Sequence, residues 1–127
     1  MTDNRVLVDE NGKESVFVNR SDGYAVSKFK EIGYEQLIIS TEENKVMMKR
    51  AEKLGIHCIQ GVRDKKVALM SYAEERKLSL SQIMFVGNDL NVMPAFSVAG
   101  YCGCPADADE EIKKICVWIS ACNGGLA

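Results

Sequence analysis

The sequence lacks the features that mark membrane, secreted and nucleic-acid-binding proteins. No apolar run approaches the roughly 20 residues that a membrane helix needs, and no signal-peptide pattern opens the chain. A net charge of −2 provides no basic surface for nucleic acid. Repeats and low-complexity tracts are also missing. We therefore expect a cytoplasmic globular protein that has neither a membrane nor a nucleic acid as its partner.

The cysteines lack the spacing of a metal or redox motif. They number five, and the pair in Cys102-Gly103-Cys104 is too close for the C-x-x-C of zinc and redox sites. Several cysteines lie in apolar stretches, so we expect buried free thiols in a reducing compartment.

What the sequence does contain is the pattern of one α/β domain over residues 1–127. A β-hairpin is predicted at about 5–18 from two apolar segments separated by a turn of the Asn-Gly type. An α/β core follows at about 21–120, in which strand and helix alternate four times. That order predicts a parallel sheet covered by helices on both faces, with right-handed crossovers.

The individual elements follow from apolar periodicity, caps and glycines. The hairpin strands are predicted at 5–8 and 15–18, and Ser21 or Asp22 is expected to cap a helix that Gly33 ends. The other predicted strands are 35–39, 56–59, 83–86, 101–104 and 117–119, and the other predicted helices are 42–54, 65–76, 92–98 and 108–115.

Three polar clusters follow successive predicted strands: Ser40-Thr41, Asp64-Lys65 and Asn88-Asp89. Because the carboxyl ends of parallel strands share one edge of a sheet, we expect the clusters to converge. A hydroxyl, an ammonium and a carboxylate together suit a phosphoryl group, since they can hold its oxygens, offset its charge and bind a metal. Each cluster alone also fits a structural role, as a turn, a solvated helix residue or a helix cap.

Longer motifs around these clusters add a family resemblance. They are Val18-Asn19-Arg20-Ser21-Asp22-Gly23, Ile38-Ile39-Ser40-Thr41-Glu42-Glu43-Asn44, Gln60-Gly61-Val62-Arg63-Asp64-Lys65 and Val86-Gly87-Asn88-Asp89-Leu90-Asn91. In order and spacing they resemble the haloacid-dehalogenase-like phosphatases of the 3-deoxy-manno-octulosonate 8-phosphate phosphatase family. In particular, they resemble the phosphatase-like domains associated with N-acylneuraminate cytidylyltransferases.

The resemblance implies a three-layer Rossmann-like fold and magnesium-dependent hydrolysis of a small phosphorylated keto-sugar acid. It assigns Ser40, Thr41 and Lys65 to phosphate binding. It assigns Asn88 and Asp89 to the metal site. It also implies a homotetramer in which the hairpin packs against a neighbour. The residues that would line the substrate pocket are Arg20, Ser21 and Asp22.

The family's catalytic aspartates have no counterpart in the sequence. They belong to a D-x-D-G-V-x-T-D stretch after the first, central strand, and Met1-Thr2-Asp3 matches only its last three positions. Asp9-x-Asn11-Gly12 follows an apolar strand, but Asn11 carries no acidic proton and the family has a similar turn in its hairpin. We therefore assign no catalytic residue, and expect the central strand to be missing.

The metal site is also incomplete, because Val92 stands where the family usually has an aspartate. Magnesium is thus expected for the family but doubtful for this chain. Either Met1 is an internal methionine of a longer phosphatase, or the chain is a silent relative kept for assembly with a cytidylyltransferase. A receiver-like phosphoacceptor would need a pair of acids after the first strand, which is absent.

Overall fold

The computed structural model describes residues 2–126, which form two compact units. The first unit comprises the chain up to Val62 together with the segment from Gly125, and the second runs from Arg63 to Gly124. None of the helices in residues 2–126 combines the length and the apolar character needed to cross a membrane. The extent of a single domain over the whole chain stays a prediction.

The first unit opens with the predicted hairpin. Its strands β1 (Leu7–Val8) and β2 (Glu14–Ser15) pair antiparallel. The turn between them is fixed by Asp9, whose Oδ1 accepts the backbone N–H groups of Asn11 and Lys13, both at 2.9 Å. The hairpin is confirmed, although each strand is shorter than predicted because the outer apolar residues extend beyond the ladder.

Helix α1 (Ser21–Glu31) follows, and its capping differs from the prediction. The cap residue is Arg20, which makes no side-chain capping bond, so the prediction that Ser21 or Asp22 caps the helix was wrong. The side chain of Asn19 takes over part of that task, because its Oδ1 accepts the Ser21 backbone N–H at 2.9 Å. Such short side-chain bonds satisfy amide groups that have no partner inside the helix.

A parallel strand pair completes the first unit. β3 (Leu37–Ile39) and β4 (His57–Ile59) lie side by side in parallel, connected through helix α2 (Val46–Leu54). The helix ends at Gly55, which adopts the left-handed conformation at φ 68° that glycine allows. The predicted start of α2 at residue 42 was four residues early, since residues 41–45 form bends and irregular backbone.

The second unit contains a three-stranded parallel sheet in the order β5-β6-β7. Short 3₁₀ turns precede β5 and α4, so the helix predicted at 92–98 is only partly α-helical. The elements are α3 (Lys65–Glu75), β5 (Met84–Val86), α4 (Met93–Phe96), β6 (Tyr101–Cys104), α5 (Glu110–Ile115) and β7 (Trp118–Ile119).

One face of this sheet carries the core of the second unit. The rings of Phe85 and Phe96 meet edge to face with centroids 5.9 Å apart. The other face is open: Met84 is 46% exposed, Val86 55% and Trp118 50%. The core cluster consists of Val92, Phe96, Cys104, Ala108 and Ile112.

The cysteines are free thiols, as predicted. Burial is complete only at Cys104, and Cys122 is exposed. Cys116 packs against the core, where burial and a hydrogen bond with Cys104 raise its pKa to about 12. A thiol with so high a pKa is almost never a thiolate, so Cys116 belongs to the structure of the core rather than to a reactive site.

The parallel pairings confirm the predicted α/β class, although the parallel strands fall into two sheets instead of one. Within residues 2–126, no strand pairs with the outer edge of β3 or of β5. The loss of a central strand remains a prediction.

Candidate functional site

The turn after β3 presents two hydroxyl groups on a braced backbone. The Ser40 N–H donates to the Ile59 carbonyl at 2.9 Å, and the Val62 N–H donates to the Ser40 carbonyl at 3.1 Å. The Ser40 Oγ accepts the Glu42 N–H at 3.2 Å. In the part of the chain that the structure describes, the Ser40 hydroxyl proton has no acceptor, and Thr41 is exposed. Both hydroxyls can therefore donate to a ligand oxygen.

The start of α1 holds the three residues expected in a substrate pocket. Arg20 and Ser21 are exposed, whereas the side chain of Asp22 is only 12% exposed. Asp22 lies beside the equally buried Arg50, with Oδ2 and Nη2 3.9 Å apart, and the same Nη2 donates to the Asn19 carbonyl at 2.7 Å. Asp22 thus belongs to an internal ion pair that anchors the start of α1 to α2.

In the second unit, the start of α3 fixes the position of Lys65. Asp64 caps the helix, because its Oδ1 accepts the backbone N–H groups of Lys66 at 2.9 Å and Val67 at 3.2 Å. This cap sets the first turn of the helix, from which the Lys65 side chain projects. The predicted helix start after Asp64 is confirmed.

The Lys65 ammonium makes a specific contact with the turn after β5. Its Nζ donates to the Asn91 Oδ1 at 2.7 Å. Burial lowers the pKa of Lys65, while attraction to the Asp89 carboxylate acts in the opposite direction. Asn91 lies within one of the family motifs, but the sequence assigned it no role. The only indication in the sequence of a functional role for Asn91 is its polar side chain two positions after Asp89.

The glycine of the turn after β5 is required by Val92. A Cβ at Gly87 would collide with the Val92 side chain, which is only 2% exposed and belongs to the core cluster. Val92 is therefore an apolar core residue that packs against Gly87 of the turn. It occupies the position where the resemblance implied a metal-binding aspartate.

Two oxygens of the same turn accept backbone hydrogen bonds within the protein. The Asp89 Oδ1 accepts the Asn91 backbone N–H at 3.2 Å, which caps the 3₁₀ turn. The Asn88 carbonyl accepts the backbone N–H of Asp109 at 2.9 Å and so connects the turn to the start of α5. Asp109 is itself the cap of α5, with Oδ1 2.8 Å from the Glu111 N–H.

These residues supply only part of a magnesium site. Magnesium in proteins usually binds one or two carboxylates in an octahedral oxygen shell. The turn offers the Asp89 carboxylate and the Asn88 amide, while Val92 offers no oxygen. Among residues 2–126 there is no group of three or more His, Cys, Asp or Glu that could hold a metal ion.

Comparison with known proteins decides the family. The model of haloacid dehalogenase-like hydrolases matches residues 24–125. The chain belongs to this family. The crystal structure of a putative HAD family hydrolase from Streptomyces avermitilis shares 35% identity with this chain at a TM-score of 0.94, and the match covers 98% of this chain and 71% of that one. The predicted Rossmann-like fold of the family is thereby confirmed.

Two further relatives carry more specific names. One is a 3-deoxy-D-manno-octulosonate 8-phosphate phosphatase from Moraxella catarrhalis, whose structure was solved with magnesium, phosphate and KDO. It is 27% identical to this chain at a TM-score of 0.92, and the match covers 98% of this chain and 72% of that one. An N-acylneuraminate cytidylyltransferase from Oncorhynchus mykiss is 27% identical over 112 residues. That match takes in 85% of this chain but only 26% of the cytidylyltransferase. Both halves of the predicted resemblance are confirmed.

Proposed function

We propose that this chain is the phosphate-binding part of a phosphatase-family domain that acts on phosphorylated keto-sugar acids. The observation that carries the proposal is the Lys65 ammonium, fixed by a 2.7 Å hydrogen bond to Asn91 beside the turn after β5. A partly buried, oriented cation is the element that a phosphate dianion needs most. The octulosonate phosphatase among the relatives supports the substrate class.

Two kinds of phosphate-binding group are proposed, one in each unit. In the second unit Lys65 offsets phosphate charge, and in the first unit the hydroxyls of Ser40 and Thr41 donate hydrogen bonds to phosphate oxygens. Lys65 carries the larger share, because its ammonium adds a full positive charge to its hydrogen bonds. The Ser40 hydroxyl suits its role because its proton has no acceptor among the described residues.

The sugar-acid end of the substrate is assigned to the start of α1. Arg20 is exposed, and a guanidinium binds a carboxylate through two parallel hydrogen bonds. Ser21 is exposed beside it. Asp22 serves indirectly, because its pairing with Arg50 holds the first turn of α1 in position.

Hydrolysis is not expected from this chain alone. The family reaction transfers the phosphoryl group to an aspartate, and no D-x-D-G-V stretch occurs in the 127 residues. Loss of a nucleophile reduces the rate by several orders of magnitude. We therefore propose that the chain binds its ligand without turning it over.

A binding and turnover assay tests this proposal. Isothermal titration of the full chain with inorganic phosphate should show binding that Lys65→Met weakens at least about tenfold, which corresponds to 1.4 kcal/mol. Incubation with 3-deoxy-octulosonate 8-phosphate should release no phosphate. A version extended at its amino end by the first strand of the Moraxella catarrhalis relative should release it. Absence of phosphate binding, or turnover by the 127-residue chain alone, would contradict the proposal.

A second candidate function is assembly, as an accessory domain linked to a cytidylyltransferase. The hairpin supports it, since Leu7 is 67% exposed, Val8 58% and Phe17 76%. Apolar side chains exposed on a hairpin strand and just beyond the hairpin favour association with another chain. A homotetramer would use this hairpin as its contact. Light scattering should then show that Leu7→Ser and Phe17→Ser lower the oligomeric state, while an unchanged mass would refute the contact.

The setting of this function is inferred to be the cytoplasm. All five cysteines are free, which is typical of a reducing compartment. The partner is a small phosphorylated sugar acid, with no role for nucleic acid or a membrane.

A further inference from the structure

In the first unit, the hairpin and the loop that follows β3 face each other across a cleft of about 970 Å³. One wall is formed by residues 12–16 of the hairpin, and the other by residues 41–46 together with Lys49. Thr41, whose hydroxyl is proposed above to bind phosphate, lies on the second wall. The position of the hairpin therefore determines the shape of the space beside that hydroxyl.

A side-chain hydrogen bond between Asn44 and Glu14 bridges this cleft. The Asn44 Nδ2 donates to the Glu14 Oε2 at 2.8 Å and so joins two residues that are 30 positions apart. The other end of the same amide serves the loop, because the Asn44 Oδ1 accepts the Val46 N–H at 3.2 Å where α2 begins. Asn44 thus holds the start of α2 with its oxygen and the hairpin with its nitrogen.

The hairpin depends on such a contact because it is small. Each of its strands has two residues, and both residues of β1 are exposed. A two-stranded hairpin is only marginally stable by itself in water, so its position depends on contacts with the rest of the unit. A hydrogen bond to an ionised carboxylate, as at Glu14, is stronger than one between neutral groups.

The loop on the opposite wall is anchored on both sides of Thr41. Towards β4, the Glu42 carbonyl accepts the Gly61 N–H at 2.9 Å. Towards the hairpin, the anchor is Asn44. Thr41 itself makes no hydrogen bond with the residues that the structure describes. Its orientation is therefore set by the loop around it.

We propose that Asn44 is a positioning residue for phosphate binding at the turn after β3. By anchoring the hairpin through Glu14, it holds the loop and the Thr41 hydroxyl in the arrangement that receives phosphate. This role rests on the phosphate binding proposed above. When the bond is broken, the competent arrangement is populated for only part of the time, and the apparent affinity falls by that fraction.

Removal of the Glu14 carboxylate separates this role from simple electrostatics. Glu14→Ala deletes a negative charge beside the cleft, and the loss of repulsion alone would tighten the binding of phosphate. The positioning role predicts the opposite sign: calorimetric titration with inorganic phosphate should give a dissociation constant about threefold higher. Glu10→Ala is the matched control, because Glu10 is an exposed carboxylate of the same hairpin without a hydrogen bond to the described residues. It should bind phosphate at least as tightly as the unchanged chain.

A reversed pair tests the bond itself. Asn44→Asp keeps an oxygen for the Val46 N–H but loses the donor to Glu14, so by itself it should also weaken binding. Adding Glu14→Gln moves the donor to the hairpin and the acceptor to the loop at the net charge of the original pair. This double variant should restore the dissociation constant to within about twofold. The NMR signal of the buried Ile38 reports whether each variant keeps the fold of the first unit.

Hydrogen exchange provides a readout that needs no phosphate. The amides of Gly12 and Lys13 are bonded within the hairpin turn, so they should exchange faster in Glu14→Ala and regain protection in the reversed pair. Unchanged protection in Glu14→Ala would overturn the anchoring of the hairpin. If Glu14→Ala binds phosphate as tightly as Glu10→Ala, or if the reversed pair restores nothing, the positioning role is wrong while the proposed function stands. Absence of phosphate binding by the unchanged chain would instead overturn the proposed function, and this role with it.

Discussion

The turn after β3 and the turn after β5 occupy equivalent places in their strands yet differ in chemistry. The first keeps the hydroxyls of Ser40 and Thr41 on a backbone braced by its neighbour. The second contains Asp89, but its Val92 side chain is buried in the core. Its Asn91 accepts a hydrogen bond from Lys65 of α3. The first turn thus offers hydroxyl donors that suit the proposed phosphate binding, whereas the second offers a single carboxylate, that of Asp89.

The burial of Val92 explains why the second turn differs. Its side chain is 2% exposed and packs directly over Gly87, so this position contributes to stability. A carboxylate there would exchange apolar packing for a buried charge. The turn cannot keep the core contact and regain the metal ligand with the same residue.

The largest effect is expected when the second turn is made more like its family. Val92→Asp should destabilise the chain by about 4 kcal/mol or more, because it buries an unpaired charge in the core. Urea denaturation measures this loss. Leu90→Asp, in the same turn but 54% exposed, is the control and should change stability by no more than about 0.5 kcal/mol. Equal stabilities of the two variants would show that Val92 is not the core residue described.

A smaller effect on stability should come from breaking the Arg50–Asp22 ion pair at the start of α1. Arg50→Met leaves the nearly buried Asp22 carboxylate without its cation and should cost about 3 kcal/mol of folding free energy. Lys49→Met removes the adjacent charge, whose side chain is 70% exposed, and should cost almost nothing. Adding Asp22→Asn to Arg50→Met should restore part of the stability. If the double variant is weaker than the single one, the ion pair is not the source of the loss.

The smallest effect concerns the first turn itself. Ser40→Ala should weaken phosphate binding by about 1.5 kcal/mol, roughly tenfold, because it removes one hydrogen bond to a charged acceptor. Thr41→Val keeps the side-chain shape and tests the second hydroxyl on its own. Calorimetric titration with inorganic phosphate measures both. An unchanged affinity in both variants would remove the first turn from the phosphate site.

Local signals predicted much of the fold correctly. β6 lies at the residues predicted, α3 begins at Lys65 as predicted, and α2 ends at Leu54 as predicted, followed by Gly55 in a left-handed conformation. Each of these depends on a few neighbouring residues. The start of α2 was misplaced because Glu42 and Glu43 suit a first helical turn. In the structure they lie in irregular backbone before the helix, where the Glu42 carbonyl accepts the Gly61 N–H.

The candidate site was predictable only in part. Motifs identified Lys65 and Asp89, and the loss of an aspartate at Val92 was visible in the sequence. The Lys65–Asn91 bond joins residues 26 positions apart, so no local pattern reports it. The burial of Asp22 beside Arg50 likewise depends on how α1 and α2 pack.

One measurement tests the central claim most directly: calorimetric titration of the full chain and of Lys65→Met with inorganic phosphate. If Lys65 supplies the cation of the phosphate site, the dissociation constant of the variant should be at least about tenfold higher. Equal dissociation constants for the two chains would contradict the account, because the oriented ammonium would then contribute nothing to binding.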